Sequence, residues 1–544
     1  MQKVLSAEEM REVDRLTTEK YGIPSILLME NAAHAAARVI AEKLGGSVEG
    51  KSFLILCGKG NNGGDGAALA RILWMRGAFV WIHLFGKVKE TKGDARINFE
   101  IAEKISWSAK SGSFYFFEEN LKDFNEYYYA SNWDNHDVLI DALFGTGLTR
   151  KLENFLASLA ATICNWQKNP AWEKPFIVSI DSPSGLDVDR ADPIGENVRA
   201  DLTVTFTAPK MANVFPPASD FNGELFVADI GSPPELIDNS PSQTFLAERE
   251  DARKWLGRTR LSSDSYKKTR GTALIVAGSK NFIGAAVLAS DACFAAGAGM
   301  VWAATPESVQ KTVAAKVSDE IIINGFAETE KGAFAESAAE DVLELSEKMN
   351  VAALGCGLSS AEETTRKFVR RLVEDRKVPM VLDADGLNSL SPFDLKGTDE
   401  LPLVLTPHIG EFKRLLGTGE EIEDRIGTAR DFARKHNVVL VLKGERSLIA
   451  APDGRVVINP TGNAGVSRAG SGDTLTGIIT GFLAQTYGRE KPDPENTFKA
   501  VVAALYIAGL AGDLAAEKFS GRLMRATDIR NCLLEAFEEI EKND

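Results

Sequence analysis

Along most of this chain, apolar residues come in short unbroken runs. Each run closes on glycine, aspartate or serine and leads into apolar residues at helical spacing. The first such run is 53–57 (FLILC), followed by a glycine stretch and then AALARILWMRGA. Further runs are 79–85 (FVWIHLF), 138–143 (VLIDAL), 176–180 (FIVSI), 202–206 (LTVTF) and 225–227 (LFV). Strand, loop and helix in repeated alternation predict a mainly parallel sheet with helices on both faces. Polar residues gather where the strands end, which is where open α/β sheets hold their ligands.

The alternation breaks at 232–265, where Pro, Asn and Ser cluster ahead of a charged helix-like segment, AEREDARKWLGR. A domain boundary is expected there, giving domains 1–236 and 244–544. A second α/β alternation follows, with strands in TALIVAG, MVWAAT, VAALGCG, PMVLDADG, PLVLTPH and VVLVLKG. Residues 108–136 are aromatic and acidic, fit neither pattern, and are expected to be an irregular surface element. At the N-terminus, SAEE at 6–9 matches a capping box opening an amphipathic helix.

Composition narrows the partners. At 544 residues, 44% hydrophobic and 26% charged, the chain can bury large cores without disulfides or structural metal. A formal net charge of -15 argues against nucleic acid or an anionic membrane surface. No apolar run reaches the roughly 18 residues expected of a membrane span, and the N-terminus lacks the apolar core of a signal peptide. Five scattered cysteines, none in a C-x-x-C, suit reduced thiols in the cytoplasm. The five histidines form no metal-binding pair.

The stretch 58–66 reads GKGNNGGDG. It contains G-x-G-x-x-G, but the second strand ends in Phe85-Gly86-Lys87 with no acid for a ribose hydroxyl, which disfavours a dinucleotide fingerprint. The absence of G-K-[ST] excludes a Walker A loop. A simple turn needs fewer glycines and leaves Asn61, Asn62 and Asp65 idle. Consecutive backbone N–H groups at a helix start form an anion nest instead. Asp141 and Asp181 end two further strands, and the oxygens of Asn62, Asp141 and Ser184 form a set suited to a hard cation.

Five ordered stretches, MEN at 29–31, GKGNNGGDGAALAR, DALFGTGLTR, SIDSPSGLDVD and TFTAPK, resemble the NAD(P)H-hydrate epimerase (YjeF N-terminal) family over about residues 1–236. The resemblance implies a Rossmann-like three-layer α/β/α domain. It implies hydrate binding by Asn61, Asn62, Gly63, Gly64 and Asp65, and by Gly145, Thr146, Gly147, Leu148, Thr149, Arg150 and Lys151. It also implies that Asp181 contacts the damaged ring, where it is the expected catalytic acid/base of epimerisation, and that K+ is held by Asn62, Asp141 and Ser184. Ala32 stands where that family usually has glycine.

A second nest lies in TGNAGVSRAGSGDTLTG, 461–477. Gly470-Ser471-Gly472 opens a helix with Asp473 directly behind. N–H groups and a helix dipole there stabilise a moving phosphoryl group, and a carboxylate takes the proton of an attacking hydroxyl. ALIVAGS, AGAGMVW, LDADGLN, LTPHIGEFKRL, VLKGERS and NPTGN…GSGDTLTGII resemble the ADP/ATP-dependent NAD(P)H-hydrate dehydratase (YjeF C-terminal) family over about residues 244–540. This implies a ribokinase-like α/β domain that phosphorylates the hydrate hydroxyl and expels phosphate, using Mg2+ with ADP or ATP. Asp473 is the implied base and hydrate contact. Ala285, Gly357 and His408 are further hydrate contacts, and Lys443, Gly444, Glu445, Arg446, Ser447 and Gly472 hold the nucleotide. Arg468-Ala469 and Cys356 depart from the family pattern.

The expected substrates are the hydrates of NADH and NADPH with ADP or ATP, handled by a homo-oligomer without nucleic acid or membrane. The rival readings are a small-alcohol kinase fused to a nucleotide-binding domain, and an N-terminal half that only senses nucleotide.

Overall fold

The computed structural model describes residues 1–108, 112–119, 136–168, 174–263 and 265–542. They divide into two compact units, Lys3–Ser242, and Met1–Gln2 with Gln243–Asp544. Strands are numbered through the chain from the two-residue β1 (Gln2–Lys3).

In the first unit the strands are β2 (Ser52–Cys57), β3 (Phe79–Phe85), β4 (Phe114–Glu119), β5 (Val138–Ala142), β6 (Phe176–Ile180), β7 (Leu202–Phe206) and β8 (Glu224–Ala228). They form one all-parallel sheet in the order β4-β3-β2-β5-β6-β7-β8. Alternate residues of β2 point to opposite faces, as a strand requires. Phe53 and Ile55 join a core built with the helices Ser25–Lys43 and Asn61–Met75, while Leu54 and Leu56 meet the helix Asn154–Lys168. Both faces are therefore covered, which is why these strands read as unbroken apolar runs. The strand order reverses between β2 and β5, and the loops leaving those two strands flank a crevice at the switch point.

One expectation is corrected. Part of 108–136 is not irregular: Phe114–Glu119 is the edge strand, paired in parallel with β3. Phe114 is buried, while Tyr115 and Phe117 stack on Trp81 and His83 along the outer face. Because the edge is covered more fully on one face, its aromatics alternate and two acids close it, so it lacks the continuous run of its neighbours. The segment 120–135 lies outside the described residues.

In the second unit the strands are β9 (Thr244–Leu246), β10 (Thr272–Val276), β11 (Met300–Pro306), β12 (Ile322–Phe326), β13 (Val351–Leu354), β14 (Met380–Leu382), β15 (Leu403–Leu405), β16 (Val439–Leu442), β17 (Leu448–Ala450) and β18 (Val456–Ile458). The sheet order is β1-β9-β18-β17-β16-β15-β14-β13-β10-β11-β12. It is parallel from β16 to β12, and the β16-β17-β18 meander is antiparallel. Here the order reverses between β13 and β10. The helices Ile283–Ala295 and Ser471–Tyr487 pack closely because Gly477 and Gly481 face Ala289 and Cys293; a Cβ on Gly477 would stand 2.2 Å from the Ala289 carbonyl oxygen.

The 26-residue helix Pro494–Phe519 is long and apolar enough to cross a membrane by length and composition. Most of its apolar window is buried within the unit's own core, with Phe498, Val501 and Ala504 at its centre.

Candidate active sites

The first nest sits at the end of β2, where the helix Asn61–Met75 starts at once. Its glycines answer to close backbone approach. A Cβ on Gly58 would lie 2.0 Å from the Leu143 carbonyl oxygen, and one on Gly63 would lie 1.8 Å from that of Gly58. Gly64 presses on Ala95 in the same way. The turn thus draws the β2 and β5 loops together around a cavity of about 600 Å³.

Asn61, Asn62, Asp65, Gly145, Thr146, Gly147, Leu148 and Asp181 all line this cavity. Gly63 and Gly64 shape it from behind. Thr149, Arg150 and Lys151 are exposed further along the loop and are not part of its lining. Asn62 is buried, and neither its amide nitrogen nor its oxygen has a protein partner. Asp141 and Ser184 lie beneath, fully buried. The Asp141 carboxylate accepts from Ser184 Oγ at 2.5 Å, Ser184 N at 2.8 Å and Ser179 Oγ at 2.8 Å. Burial still pushes its carboxyl up against those bonds. Of the three residues expected to hold a cation, only Asn62 therefore brings an uncommitted side chain. Among the described residues no three His, Cys, Asp or Glu side chains gather to hold a metal ion, so the donors at hand are amide, carboxylate, hydroxyl and backbone carbonyl oxygens.

Asp181 has φ 67°, a region costly for a residue with a Cβ. Its Oδ1 accepts from Lys210 Nζ at 2.7 Å and Thr205 Oγ1 at 3.2 Å, and its Oδ2 from Thr146 N at 3.0 Å. Lys210, 1% exposed, also donates to Thr205 Oγ1 and to the Phe206 carbonyl. Three further acids line the same cavity, Asp14, Asp65 and Asp94. Burial pushes Asp65 well above the ordinary range, with Asp181 and Asp14 adding to the shift. Asp14, on the helix Ala7–Glu19, is pushed up to about 6 by desolvation; Lys210 opposes this and Asp181 reinforces it. The sequence reading gave no role to Asp14 or Lys210. The signal for Lys210 was present, since it closes TFTAPK directly after a strand; Asp14 looks like any surface acid on an amphipathic helix.

In the second unit, Gly470 caps the helix Ser471–Tyr487 with φ 91°, and Asp473 lies in its first turn. The hydroxyls of Ser471 and Thr474 are buried there without a protein partner. Lys443 directly follows β16 and its Nζ donates to Asp383 Oδ1 at 2.6 Å, while Thr476 Oγ1 donates to Asp383 Oδ2 at 2.7 Å. Burial pulls the Lys443 ammonium down, but Asp383 and Glu411 outweigh it and hold it above the ordinary value. A Cβ on Gly472 would lie 3.6 Å from both Lys443 Nζ and Asp383 Oδ2, so this glycine faces the ion pair. His408 bridges to Lys443 through the backbone. Its Nδ1 accepts from Gly410 N at 3.0 Å, and its Nε2 lies 3.6 Å from Glu411 Oε1, with about half of the side chain exposed.

Gly357 and Ala285 also meet: Gly357 has φ 65°, and a Cβ on it would lie 2.8 Å from Ala285 Cβ. Cys356, next to Gly357 in the chain, is a buried thiol close enough to the Asp473 carboxyl to pull its value down. Asp473 is pushed up to about 6, first by burial and then by Asp383 and Asp385, with Cys356 and Lys443 pulling the other way. Gly444, Glu445, Arg446 and Ser447 form the turn from β16 into β17, with Gly444 and Glu445 exposed. Arg468 is exposed and donates to the Arg522 carbonyl at 2.5 Å.

A family model described as NAD(P)H-hydrate dehydratase matches residues 273–534, and one described as the YjeF-related protein N-terminus matches residues 25–212. The bifunctional NAD(P)H-hydrate repair enzyme of Moorella thermoacetica is 39% identical, over 99% of this chain and 97% of its own. That of Thermofilum pendens is 34% identical over the same shares of each chain. The crystal structure of ADP/ATP-dependent NAD(P)H-hydrate dehydratase from Bacillus subtilis, co-crystallized with ATP/Mg2+, is 30% identical and covers 55% of this chain and 99% of that one, with a TM-score of 0.47.

Proposed function

This chain belongs to the bifunctional NAD(P)H-hydrate repair family, and on that premise we propose a division of labour between its two units. The first interconverts the R and S hydrates of NADH and NADPH. The second dehydrates the S form at the expense of ADP or ATP, taken with Mg2+. A dehydratase selective for one epimer strands the other, and an epimerase on the same chain recovers it.

The observation that carries this reading is Asp473, a carboxyl pushed to about 6 at the glycine-opened start of a helix. Near neutral pH it is mostly ionised, and it is basic enough to take the proton of the hydrate hydroxyl as that oxygen attacks the terminal phosphoryl group. The Gly470–Gly472 backbone and helix dipole stabilise the transferring charge. Lys443, held by Asp383, supplies a fixed cation beside Gly472. Elimination of the phosphate then restores the reduced ring. Ala285, Gly357, His408 and Asp473 bind the hydrate in this reading, and Lys443 to Ser447 with Gly472 bind the nucleotide.

In the first unit the N–H groups of the Asn61–Asp65 turn bind the hydrate's phosphates and Asp181 addresses the ring. Asn62, Asp141 and Ser184 would hold K+; the unpartnered Asn62 amide and the fully buried Asp141 carboxylate support that fit. Such an ion would supply positive charge near the reacting ring. We place the enzyme in the cytoplasm as a homo-oligomer.

Product analysis tests the reading. Incubated with S hydrate and ADP or ATP, the chain yields NADH or NADPH and free phosphate in equal amounts. A stable phosphorylated product would assign it to the small-alcohol kinases instead.

A further inference from the structure

Resting on the epimerase reading, we propose that Asp14 is a second catalytic carboxyl of the first-unit cavity, supplying the proton that Asp181, which in the resting site only accepts hydrogen bonds, does not hold at the start of the exchange. Both oxygens of Asp181 already accept hydrogen bonds, from Lys210 and Thr205 on one side and from Thr146 N on the other. That is the arrangement of an ionised carboxylate, which accepts and does not donate. Exchanging the two hydrate epimers needs both roles. The C–O bond at the ring carbon beside nitrogen must break, with its electron pair leaving on oxygen, and a new C–O bond must form on the other face.

A protonated Asp14 gives its proton to the ring hydroxyl, which departs as water while the ring nitrogen lone pair forms C=N+. A second water adds to the opposite face and its proton passes to Asp181. The ring has gained no atom and no charge, and a proton has moved from one carboxyl to the other. The reverse exchange uses the same groups in swapped roles.

Asp14 is placed for this work. It lines the same cavity as Asp181, Asn62 and Thr146. Unlike Asp181, it has no ion pair or hydrogen-bond donor of its own among the described residues. Asp14 keeps part of its surface open to solvent although its carboxyl is largely desolvated, so bulk water can return its proton after each turnover. The charged groups that share the cavity wall with it are Arg11, Lys59, Asp65, Asp94, Asp181 and Lys210. In those surroundings its carboxyl stands at about 6, so roughly a tenth of the molecules carry the proton at pH 7. Asn62 adds an independent sign that the cavity takes a polar ligand, since its buried amide points into the lining with no protein partner.

The test uses the full chain and mixed R and S hydrate with ATP and Mg2+. NADH absorbance rises in a fast phase, as the S fraction is dehydrated, and a slow phase limited by epimerisation. Asp14→Asn should leave the fast phase unchanged and cut the slow phase by about 10²-fold or more, limited by the spontaneous rate. Titration of the hydrate without nucleotide should show affinity for the first unit within a few-fold of the parent. Asp14→Glu, which keeps the carboxyl, should recover part of the slow phase. A slow phase in Asp14→Asn equal to the parent overturns the proposal, as does a loss of hydrate affinity matching the loss of rate. Failure of the epimerase reading itself looks different: the parent chain would then show no slow phase faster than that in buffer.

Discussion

The value near 6 for Asp473 has consequences that can be measured in both rate and stability. Its largest cause is burial, with Asp383 and Asp385 adding to it and Cys356 and Lys443 opposing. If Asp473 is the base, dehydration of S hydrate tracks its ionised fraction: about nine tenths at pH 7, half at pH 6 and a tenth at pH 5. An ordinary aspartate at 3.8 would still be mostly ionised at pH 5. The assay is the initial rate of NADH appearance from S hydrate at saturating ATP and Mg2+, from pH 4.5 to 8. Cys356→Ala removes a neighbour that lowers the value, so the acid limb should move to higher pH. Stability runs the other way. The folded protein binds this proton more tightly than the unfolded chain, so the contribution of Asp473 is full below 3.8 and lost as pH rises through about 6. Above that, ionised Asp473 costs the second unit about 3 kcal/mol at most. Asp473→Asn should therefore abolish dehydration, by about 10²- to 10⁴-fold, while raising the midpoint of that unit's unfolding at pH 8. An acid limb centred near 4, or a variant that is both inactive and less stable, would refute the reasoning.

Three further outcomes are expected. Lys210→Met leaves the Asp181 carboxylate buried beside Thr205 with no cation, a loss on the order of 3–5 kcal/mol. Amide exchange in β6 and β7 should quicken by about 10²-fold or more, with Asp181→Asn on top restoring part of the protection; unchanged exchange would remove Lys210 from the account. Gly472→Ala meets only ordinary contacts at 3.6 Å, whereas Gly63→Ala drives a Cβ to within 1.8 Å of the Gly58 carbonyl oxygen. The first should fold with parental stability but bind ATP at least several-fold more weakly by calorimetry. The second should lose stability by about 1–3 kcal/mol or fail to accumulate. Asp141→Ala should slow the R-clearing phase and abolish its dependence on K+ while S dehydration persists, and a K+ titration that leaves the parent's slow phase flat speaks against the cation.

Much of this was legible in the sequence because buried parallel strands write themselves as unbroken apolar runs. All six runs read in the first half, and all six in the second, are strands. The missed strands are those without that signature. Phe114–Glu119 is an edge, β12 carries Asn324 and Gly325 in its middle, and the β17–β18 hairpin has strands of only three residues. The loops of the site were legible through glycine, which the structure demands wherever one backbone meets another, as at Gly58 against Leu143. What the sequence could not supply was tertiary company. Lys210 lies 29 residues from Asp181 and Asp14 lies on a helix before the first strand of the sheet; only the fold brings either to the cavity. Nor could the spacing reveal that Asp141 and Ser184 spend their side chains on one another.

The central claim, that one chain carries both an epimerase and a dehydratase, is tested most directly by exhausting a mixed R and S hydrate with this protein alone. In ATP, Mg2+ and K+, NADH should reach the full amount of hydrate supplied, the R fraction disappearing much faster than it does spontaneously. Asp181→Asn should stop at the S fraction and then creep at the spontaneous rate. A parent reaction that halts at the S fraction would contradict the account, leaving a dehydratase joined to a unit that only binds.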